Sequence, residues 1–214
     1  IMKFLSKKLS SMGFKCKIIK SKGLNSKPAL NLFAKFGNSR PHISFLGHTD
    51  VVLNLENWSF SPFKSVIKKG YLYGRGAQDM KGGIACWIGA VRKFIKSDNF
   101  KGSISIIIAA DEETTSYGTP TVINYLRKRK EKIDFIIVGE PSSNKKIGDE
   151  IRIGRRGSMN AILTVIGKSG HTAFHGSYIN PCTTLARIIA KLKNTRLDLG
   201  TKYMPPSHLE ISKM

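Results

Sequence analysis

The stretch HISFLGHTD, residues 42–50, is an apolar run that ends in a histidine and an aspartate. Residues 42–46 have the length and apolar character of a short buried strand, which would deliver His48 at its carboxyl end. On an extended chain, residues two apart point to the same side, so Asp50 can accept the imidazole N–H that faces away from a metal. Taken alone, this motif also fits a turn with a side-chain cap.

Two further apolar runs end in glutamates in the same way. Residues 104–110 precede Glu112 and Glu113, and residues 133–138 precede Glu140. One of two adjacent glutamates can bind a metal while the other stays free to act as a general base. A surface acidic pair and a strand-ending turn are the simpler explanations of the two clusters when each is considered separately.

Asp79 lies in the glycine-rich stretch YGRGAQDMKGG, ahead of residues 84–95, whose apolar positions have helical spacing. By itself it fits a helix-capping aspartate. In the company of the other clusters it fits a carboxylate that gives one oxygen to each of two metals. Histidine and carboxylates are ligands that zinc accepts, and the chain is otherwise poor in acidic residues.

Strand and helix patterns alternate along most of the chain. Predicted helices cover residues 1–12, 84–95, 120–130 and 181–193; predicted strands cover residues 14–20, 30–36, 42–46, 104–110, 133–138, 159–167 and 209–211, with a hairpin at residues 66–73. This order predicts an α/β fold with a mainly parallel sheet covered by helices on both faces. Ligand sites in such sheets form beyond the carboxyl ends of the strands, so the clusters are expected to meet at one edge.

Composition bounds the class of protein. The chain has 214 residues, 41% of them hydrophobic, which is enough for a real core. The net charge of +22 prompts the idea of nucleic acid, but the lysines are scattered without an interleaved aromatic patch, so we expect no nucleic-acid partner. Three distant cysteines without a CxxC pair suit a reducing cytoplasm, and no apolar run is long enough to span a membrane.

The strings GHTDVV, YGRGAQDMKGG, DEE and GEPSS resemble the dizinc aminoacylase and carboxypeptidase superfamily. The run GEPSSNKKIGDEIRIGRRGS, followed by SGHTAF, is most similar to the succinyl-diaminopimelate desuccinylase family. The resemblance implies a zinc-peptidase-like catalytic domain and hydrolysis of N-succinyl-LL-2,6-diaminopimelate to succinate and LL-2,6-diaminopimelate, a step of lysine and diaminopimelate biosynthesis. It also implies two zinc ions, with cobalt or manganese as alternatives at one site.

The resemblance assigns roles to individual residues. His48 and Glu140 would bind one zinc, Asp79 would bridge to the second, Glu113 would bind the second, and Glu112 would be the base and proton shuttle.

The same resemblance implies contacts around the metals. Asp50 would orient His48, and Arg155 and Ser158 match positions that hold a substrate carboxylate, a role that suits the planar guanidinium fork. His171 matches a histidine of the smaller domain that reaches the active site of the partner subunit in a homodimer and stabilises the developing oxyanion. Without the resemblance, Arg155 fits a solvated basic turn and His171 an ordinary loop.

The pattern departs from the family in three places. Leu53 follows GHTDVV where a proline is usual, and Phe174 stands where the family carries a tyrosine. A late histidine that would complete the second zinc site has no counterpart here, since His42, His175 and His208 lie in other contexts.

These departures shape the expected domains. We expect residues 1–155 to be a catalytic domain that lacks its C-terminal return segment, and residues 156–214 to be part of a smaller α+β dimerisation or lid domain. The chain is thus expected to be truncated.

Alternative functions remain open at this point. An acetylornithine deacetylase or another aminoacylase would use the same metals, although GRRGS and the GEPSS run argue against it. From a different class, the chain could be an inactive, basic relic that kept the motifs by descent.

Overall fold

A five-stranded sheet lies at the centre of the first part of the chain. The computed structural model describes residues 1–53, 56–96 and 100–214. Its helices and strands are α1 (Met2–Ser10), β1 (Lys15–Lys22), β2 (Pro28–Phe36), β3 (His42–His48), β4 (Val66–Lys68), β5 (Tyr71–Tyr73), α2 (Gly83–Phe94), β6 (Ser103–Ala109), α3 (Gly118–Lys128), β7 (Phe135–Val138) and α4 (Pro181–Lys193).

The half of the sheet that bears the acidic clusters is parallel. Strand β3 pairs in parallel with β6 on one side and with β7 on the other. Strands β1 and β2 extend the sheet beyond β6 in antiparallel fashion. The predicted α/β class is confirmed, with an antiparallel hairpin added to the parallel strands.

Two apolar clusters attach helices to the two faces of the sheet. On one face, side chains of α1 and α2, among them Leu9 and Ile84, pack with Leu32 and Ile106. On the other face, Val122 and Leu126 of α3 pack with residues of β1, β2 and β6. Apolar side chains spaced three or four residues apart along each helix pack against side chains at alternating positions of the strands. The predicted covering of the sheet by helices on both faces is therefore confirmed.

Some predicted helices and strands are found in the structure and others are not. The predicted hairpin turns where expected, because Lys69 and Gly70 both adopt positive φ, the conformation that tight hairpin turns require. Helix α4 has the predicted bounds and begins after Asn180, whose side chain accepts the N–H groups of the next turn. The strands predicted at residues 159–167 and 209–211 are wrong, since neither segment is paired in the described structure.

The chain divides into two compact units, Ile1–Ile151 and Arg152–Met214. In the second unit, α4 is the only helix among the described residues, and one bridge joins Lys168 to Ile179. The expected division at residue 155 into catalytic and lid domains stays a prediction. Within residues 1–53, 56–96 and 100–214, no helix combines the length and the apolar character that crossing a membrane demands.

Gly139, between β7 and Glu140, is needed for packing. A Cβ added there would lie 2.1 Å from Cζ of Phe45 and 2.9 Å from Cε of Met80. We expect Gly139→Ala to lower the free energy of unfolding by about 1–3 kcal/mol, as overpacked cores do. Urea denaturation measures it. Gly89→Ala on α2 is the matched control: nothing lies within 4 Å of its Cβ, so equal or higher stability is expected there, and equal effects at both positions would contradict the packing argument.

A buried polar network surrounds His42, the first residue of β3. The imidazole of His42 is 1% exposed, with Nε2 2.8 Å from Oγ of Ser105 and Nδ1 2.8 Å from the carbonyl oxygen of Lys132. Burial lowers the pKa of His42 below its ordinary value of 6.5, and Lys35 acts in the same direction, while Glu131 opposes them. The folded protein therefore favours the neutral imidazole.

This network makes stability depend on pH. Below about pH 6.5 the unfolded chain binds a proton at His42 more readily than the folded one, so the contribution of His42 to the free energy of unfolding should fall as pH is lowered and stay level above that point. In His42→Gln the contribution of this group to the slope should vanish, although absolute stability drops. Denaturation midpoints at about pH 7.5 and about pH 5.5 measure this. His175→Gln, an exposed control, should keep the wild-type slope; an unchanged slope in His42→Gln would refute the argument.

Candidate metal centre

Four carboxylates lie close to the imidazole of His48, which is almost fully buried. Its Nε2 lies 3.1 Å from Oδ1 of Asp79 and 3.6 Å from Oε1 of Glu140. Glu112 and Glu113 approach the same imidazole in a second group, and within each group the ligand atoms lie within 4.8 Å of one another. The predicted meeting of the acidic clusters at one edge of the sheet is thus found in the structure.

Strand register explains why His48 and Glu140 meet. Leu46 of β3 pairs with Val138 of β7, so each of the two side chains comes two residues after a paired position. The parallel arrangement sends both chains out of the sheet in the same direction. Gly139 N–H extends the ladder by donating to the carbonyl oxygen of Leu46 at 2.9 Å, which fixes the exit of β7 directly before Glu140.

The loop that carries Asp79 is anchored by its neighbour Met80. Met80 is completely buried, and its sulfur accepts the backbone N–H of His48 at 3.2 Å. Added Cβ atoms at Gly47 and Gly139 would lie 2.7 Å and 2.9 Å from its Cε, so glycine at both positions makes room for the thioether. The peptide between Asp79 and Met80 is cis. The Met80 side chain is buried in the core, while the Asp79 side chain stays half exposed at the site.

Asp50 links two parts of the site in a way that differs from expectation. Nδ1 of His48 is 3.1 Å from the backbone oxygen of Asp50 and 3.5 Å from its carboxylate Oδ1, so the backbone carbonyl is the nearer acceptor. The other carboxylate oxygen is occupied, because it accepts the backbone N–H of Glu113 at 2.9 Å. Asp50 thereby ties the histidine to the loop that carries the two glutamates.

The charges of the site favour a bound cation. The Asp50 side chain raises the pKa of His48 to about 9, against the effect of burial. Burial by itself would raise the pKa of Asp50, but hydrogen bonds from His48 and from backbone N–H groups lower it to about 2. Burial, with Asp79 among the neighbouring carboxylates, raises the pKa of both Glu113 and Glu140. Such carboxylates are stabilised in their charged form by a positive ion between them.

The distances fit one zinc ion well. Two ligands about 2.1 Å from a tetrahedral zinc lie roughly 3.3 Å apart. The separations of 3.1 Å and 3.6 Å from His48 Nε2 to Asp79 and to Glu140 lie on either side of that value. These three residues are a suitable ligand set for one ion.

With His48 bound to the first ion, the ligand candidates for a second ion in the first unit are carboxylates. Glu113 and Asp79 are candidates for it, but the unit contains only one other histidine, His42. That imidazole lies at the opposite end of β3 and is engaged with Ser105 and the Lys132 carbonyl.

A cavity of about 200 Å³ opens beside the ligands, and the sequence analysis assigned no role to it. Its lining includes Asp79, Glu113, Trp58 and Arg75, and the Arg75 guanidinium lies 4.8 Å from the centre of the Trp58 ring. Arg75 lies between two glycines and close in sequence to Asp79, a pattern that could have indicated this cavity from the sequence.

The predicted substrate-binding residues lie in the second unit. Arg155 and Ser158 both line a cavity of about 840 Å³, with Arg152, Arg156 and other residues of that unit. His171 is exposed, and its Nδ1 accepts the backbone N–H of Ala173 at 3.1 Å.

Residues 44–211 match the profile of peptidase family M20/M25/M40. Two similar relatives are the succinyl-diaminopimelate desuccinylases of Pelagibacter ubique, at 49% identity, and of Rickettsia felis, at 44%; each match covers 100% of this chain and 57% of the relative. The chain thus spans less than two thirds of the length of these relatives.

Solved structures share the fold. A tripeptidase from Staphylococcus aureus matches with a TM-score of 0.64 and 19% identity, over 92% of this chain and 51% of that one. Human carnosine dipeptidase 1 matches with a TM-score of 0.57 and 22% identity, over 91% of this chain and 44% of that one. At these identities the likeness shows the fold alone.

Proposed function

This chain belongs to peptidase family M20/M25/M40, and from that premise we propose that it carries the metal-binding core of a hydrolase for N-succinyl-LL-2,6-diaminopimelate. The observation that carries the proposal is the convergence of Asp79 and Glu140 on the buried imidazole of His48. The relatives named succinyl-diaminopimelate desuccinylase support the choice of substrate, because they align with the whole chain at 44–49% identity.

We propose two zinc ions, with cobalt or manganese as alternatives at one site. His48 and Glu140 would hold one ion, Asp79 would bridge, and Glu113 would bind the other. Bound zinc would supply a Lewis acid that polarises the scissile amide and makes water more acidic.

The remaining groups of the site move the proton and hold the ligands in place. Glu112 takes a proton from the attacking water and returns it to the leaving amine. Its side chain is exposed beside the ligands, which leaves room for both water and substrate. Asp50 keeps His48 in one orientation and holds the backbone of Glu113 at the same time, as its contacts indicate.

The second unit would bind the substrate and a partner copy. Arg155 and Ser158 are proposed to hold a substrate carboxylate, which their shared cavity supports. His171 is proposed to reach the active site of the other subunit in a homodimer and to stabilise the negative charge that develops on the carbonyl oxygen. A catalytic region at residues 1–155 and a lid region at residues 156–214 belong to the same proposal.

We further propose that the enzyme works in the cytoplasm, in lysine and diaminopimelate biosynthesis, on a small-molecule substrate without nucleic acid or membrane. The free cysteines at positions 16, 86 and 182 support a reducing compartment.

A direct assay separates this function from its alternatives. The zinc-loaded protein is incubated with N-succinyl-LL-2,6-diaminopimelate and, separately, with N-acetylornithine, and the released amine is quantified. Faster turnover of the succinyl substrate supports the proposal, whereas faster turnover of acetylornithine supports a deacetylase. A protein that binds zinc and hydrolyses neither substrate contradicts the proposed activity, and a protein that binds no zinc points to the inactive relic.

A further inference from the structure

Asp111, at the end of β6 and directly before Glu112, is a buried acid without a role in the proposed chemistry. Its carboxylate accepts the backbone N–H of Tyr117 at 3.1 Å and of Gly118 at 2.9 Å, and also the hydroxyl of Thr115. One side chain thus binds the far end of the loop that it begins. The loop between β6 and α3, which carries both glutamates of the site, is closed by these contacts.

The start of the same loop is bonded to Asn31 of β2, whose side chain is completely buried. The Asn31 Oδ1 accepts the backbone N–H of Ala110 at 3.0 Å, directly before Asp111. Its Nδ2 donates to the carbonyl oxygen of Ile19 at 3.2 Å and to Oγ of Ser21 at 3.0 Å. Because both ends of the amide are bonded inside the core, Asn31 connects the rigid sheet to the start of the loop.

Gly118 completes the arrangement. A Cβ added there would lie 2.4 Å from Oδ1 of Asn31 and 2.8 Å from Oδ1 of Asp111. Only a residue without a side chain allows both groups to approach the first turn of α3 so closely.

The backbone of Asp111 shows that these contacts are needed. Its φ is +91°, in the region that residues with side chains rarely adopt. Its own carbonyl oxygen accepts the backbone N–H of Ser116 at 2.7 Å, and the Ser116 hydroxyl donates to the carbonyl oxygen of Glu112 at 2.9 Å. The unusual conformation is therefore held by a set of hydrogen bonds that turns the chain sharply at Glu112.

We propose that Asp111, supported by Asn31, is a positioning residue that sets the Glu112 carboxylate where it exchanges protons with water and substrate. This inference rests on the proposed function. Glu113 has a second anchor, because its backbone N–H donates to Asp50. The Glu112 backbone N–H also interacts with the Asp50 carboxylate, but more weakly than that of Glu113, and the Glu112 carbonyl oxygen accepts the Ser116 hydroxyl inside the loop that Asp111 closes. Loss of the Asp111 contacts should therefore displace the base more than the metal ligand.

The test is Asp111→Asn, which keeps size and shape but places an amide N–H₂ among backbone N–H donors. We expect kcat to fall about 100-fold, as displacements on the order of 1 Å do in active sites, with KM and zinc affinity within about 3-fold of wild type. Hydrogen exchange of the backbone amides of residues 112–118 should become faster. Thr115→Val, which removes one donor and keeps the shape, should give a smaller change in the same direction.

Asp149→Asn is the matched control. The Asp149 carboxylate also accepts three backbone N–H groups, from Asn144, Lys145 and Lys146, but it is exposed in another loop. This variant should leave kcat and exchange at residues 112–118 unchanged.

The outcomes distinguish the positioning role of Asp111 from the proposed hydrolase function. Wild-type kcat and exchange in Asp111→Asn would overturn the positioning role, and so would equal losses of kcat, zinc affinity and stability, which would indicate a general structural role. If Asp111→Asn does not fold, Thr115→Val decides by the same measurements. If the unsubstituted chain binds zinc and hydrolyses nothing, the proposed function fails, while exchange and zinc affinity still decide whether Asp111 fixes the loop.

Discussion

Replacing Glu112 with Gln is expected to lower kcat by about 10²- to 10⁴-fold, the range that loss of a general base usually costs. The substitution keeps the length and shape of the side chain but removes the carboxylate that takes and returns the proton. Zinc content should stay at the wild-type level, because His48, Asp79 and Glu140 form one ligand group and, in the second group of His48, Glu112 and Glu113, the proposed ligand is Glu113. Turnover of the succinyl substrate and metal analysis of the same sample measure both effects.

The neighbouring glutamate provides a comparison with the same chemical change. Glu113→Gln alters a proposed ligand, so it should reduce zinc content as well as turnover. Glu150→Gln, on an exposed side chain outside the ligand groups, should change neither quantity. Near-normal turnover in Glu112→Gln, or zinc loss equal to that of Glu113→Gln, would contradict the assignment of the base.

Asp79→Ala is expected to have the largest effect on metal binding. Asp79 is the proposed bridge and lies 3.1 Å from Nε2 of His48, so its loss removes a ligand from both ions. Loss of outer contacts alone costs about 10- to 100-fold in metal affinity, and a lost bridge should cost at least about 100-fold. In the wild type, zinc at about 100 times its Kd should add about 2.7 kcal/mol to the free energy of unfolding.

Thermal or urea denaturation with and without zinc measures this gain. In Asp79→Ala the gain should disappear at the same zinc concentration, whereas Asp149→Ala, on an exposed side chain, should keep it. A zinc-dependent stabilisation that survives in Asp79→Ala would show that this carboxylate is not a ligand.

The strands next to the site were predictable from the chain alone. Apolar runs ending in His48 and before Glu112 and Glu140 became β3, β6 and β7, which pair in parallel. Strand β6 is buried along its whole length, as continuous apolar sequence in a parallel sheet predicts, whereas β7 is exposed in this structure. The predicted strand at residues 159–167 failed for the complementary reason. Alternation describes the side chains of a segment, but a strand also needs a partner for its backbone, and no other part of the described chain pairs with residues 159–167.

The contacts of the aspartates were less accessible to prediction. Asp50 was expected to accept the imidazole N–H through its carboxylate. One carboxylate oxygen lies 3.5 Å from Nδ1 of His48, but the backbone oxygen of Asp50 is nearer, at 3.1 Å, and the other carboxylate oxygen binds the Glu113 backbone. Asp111 was seen only as part of an acidic cluster. Its support by Asn31 joins residues separated by 79 positions or more through the sheet, and no local pattern records such a contact.

By itself, the sequence determined which residue types follow each strand next to the site, the order of strands and helices in residues 1–151, and the motifs that place the chain in its family. The tertiary structure alone decided that His48 Nε2 lies 3.1 Å from one carboxylate 31 residues away and 3.6 Å from another in a different strand-to-loop turn. Those distances depend on the register of β3 with β7 and on Met80 fitting under two glycines. Both depend on packing between segments that are distant along the chain, and no short stretch of sequence predicts such packing.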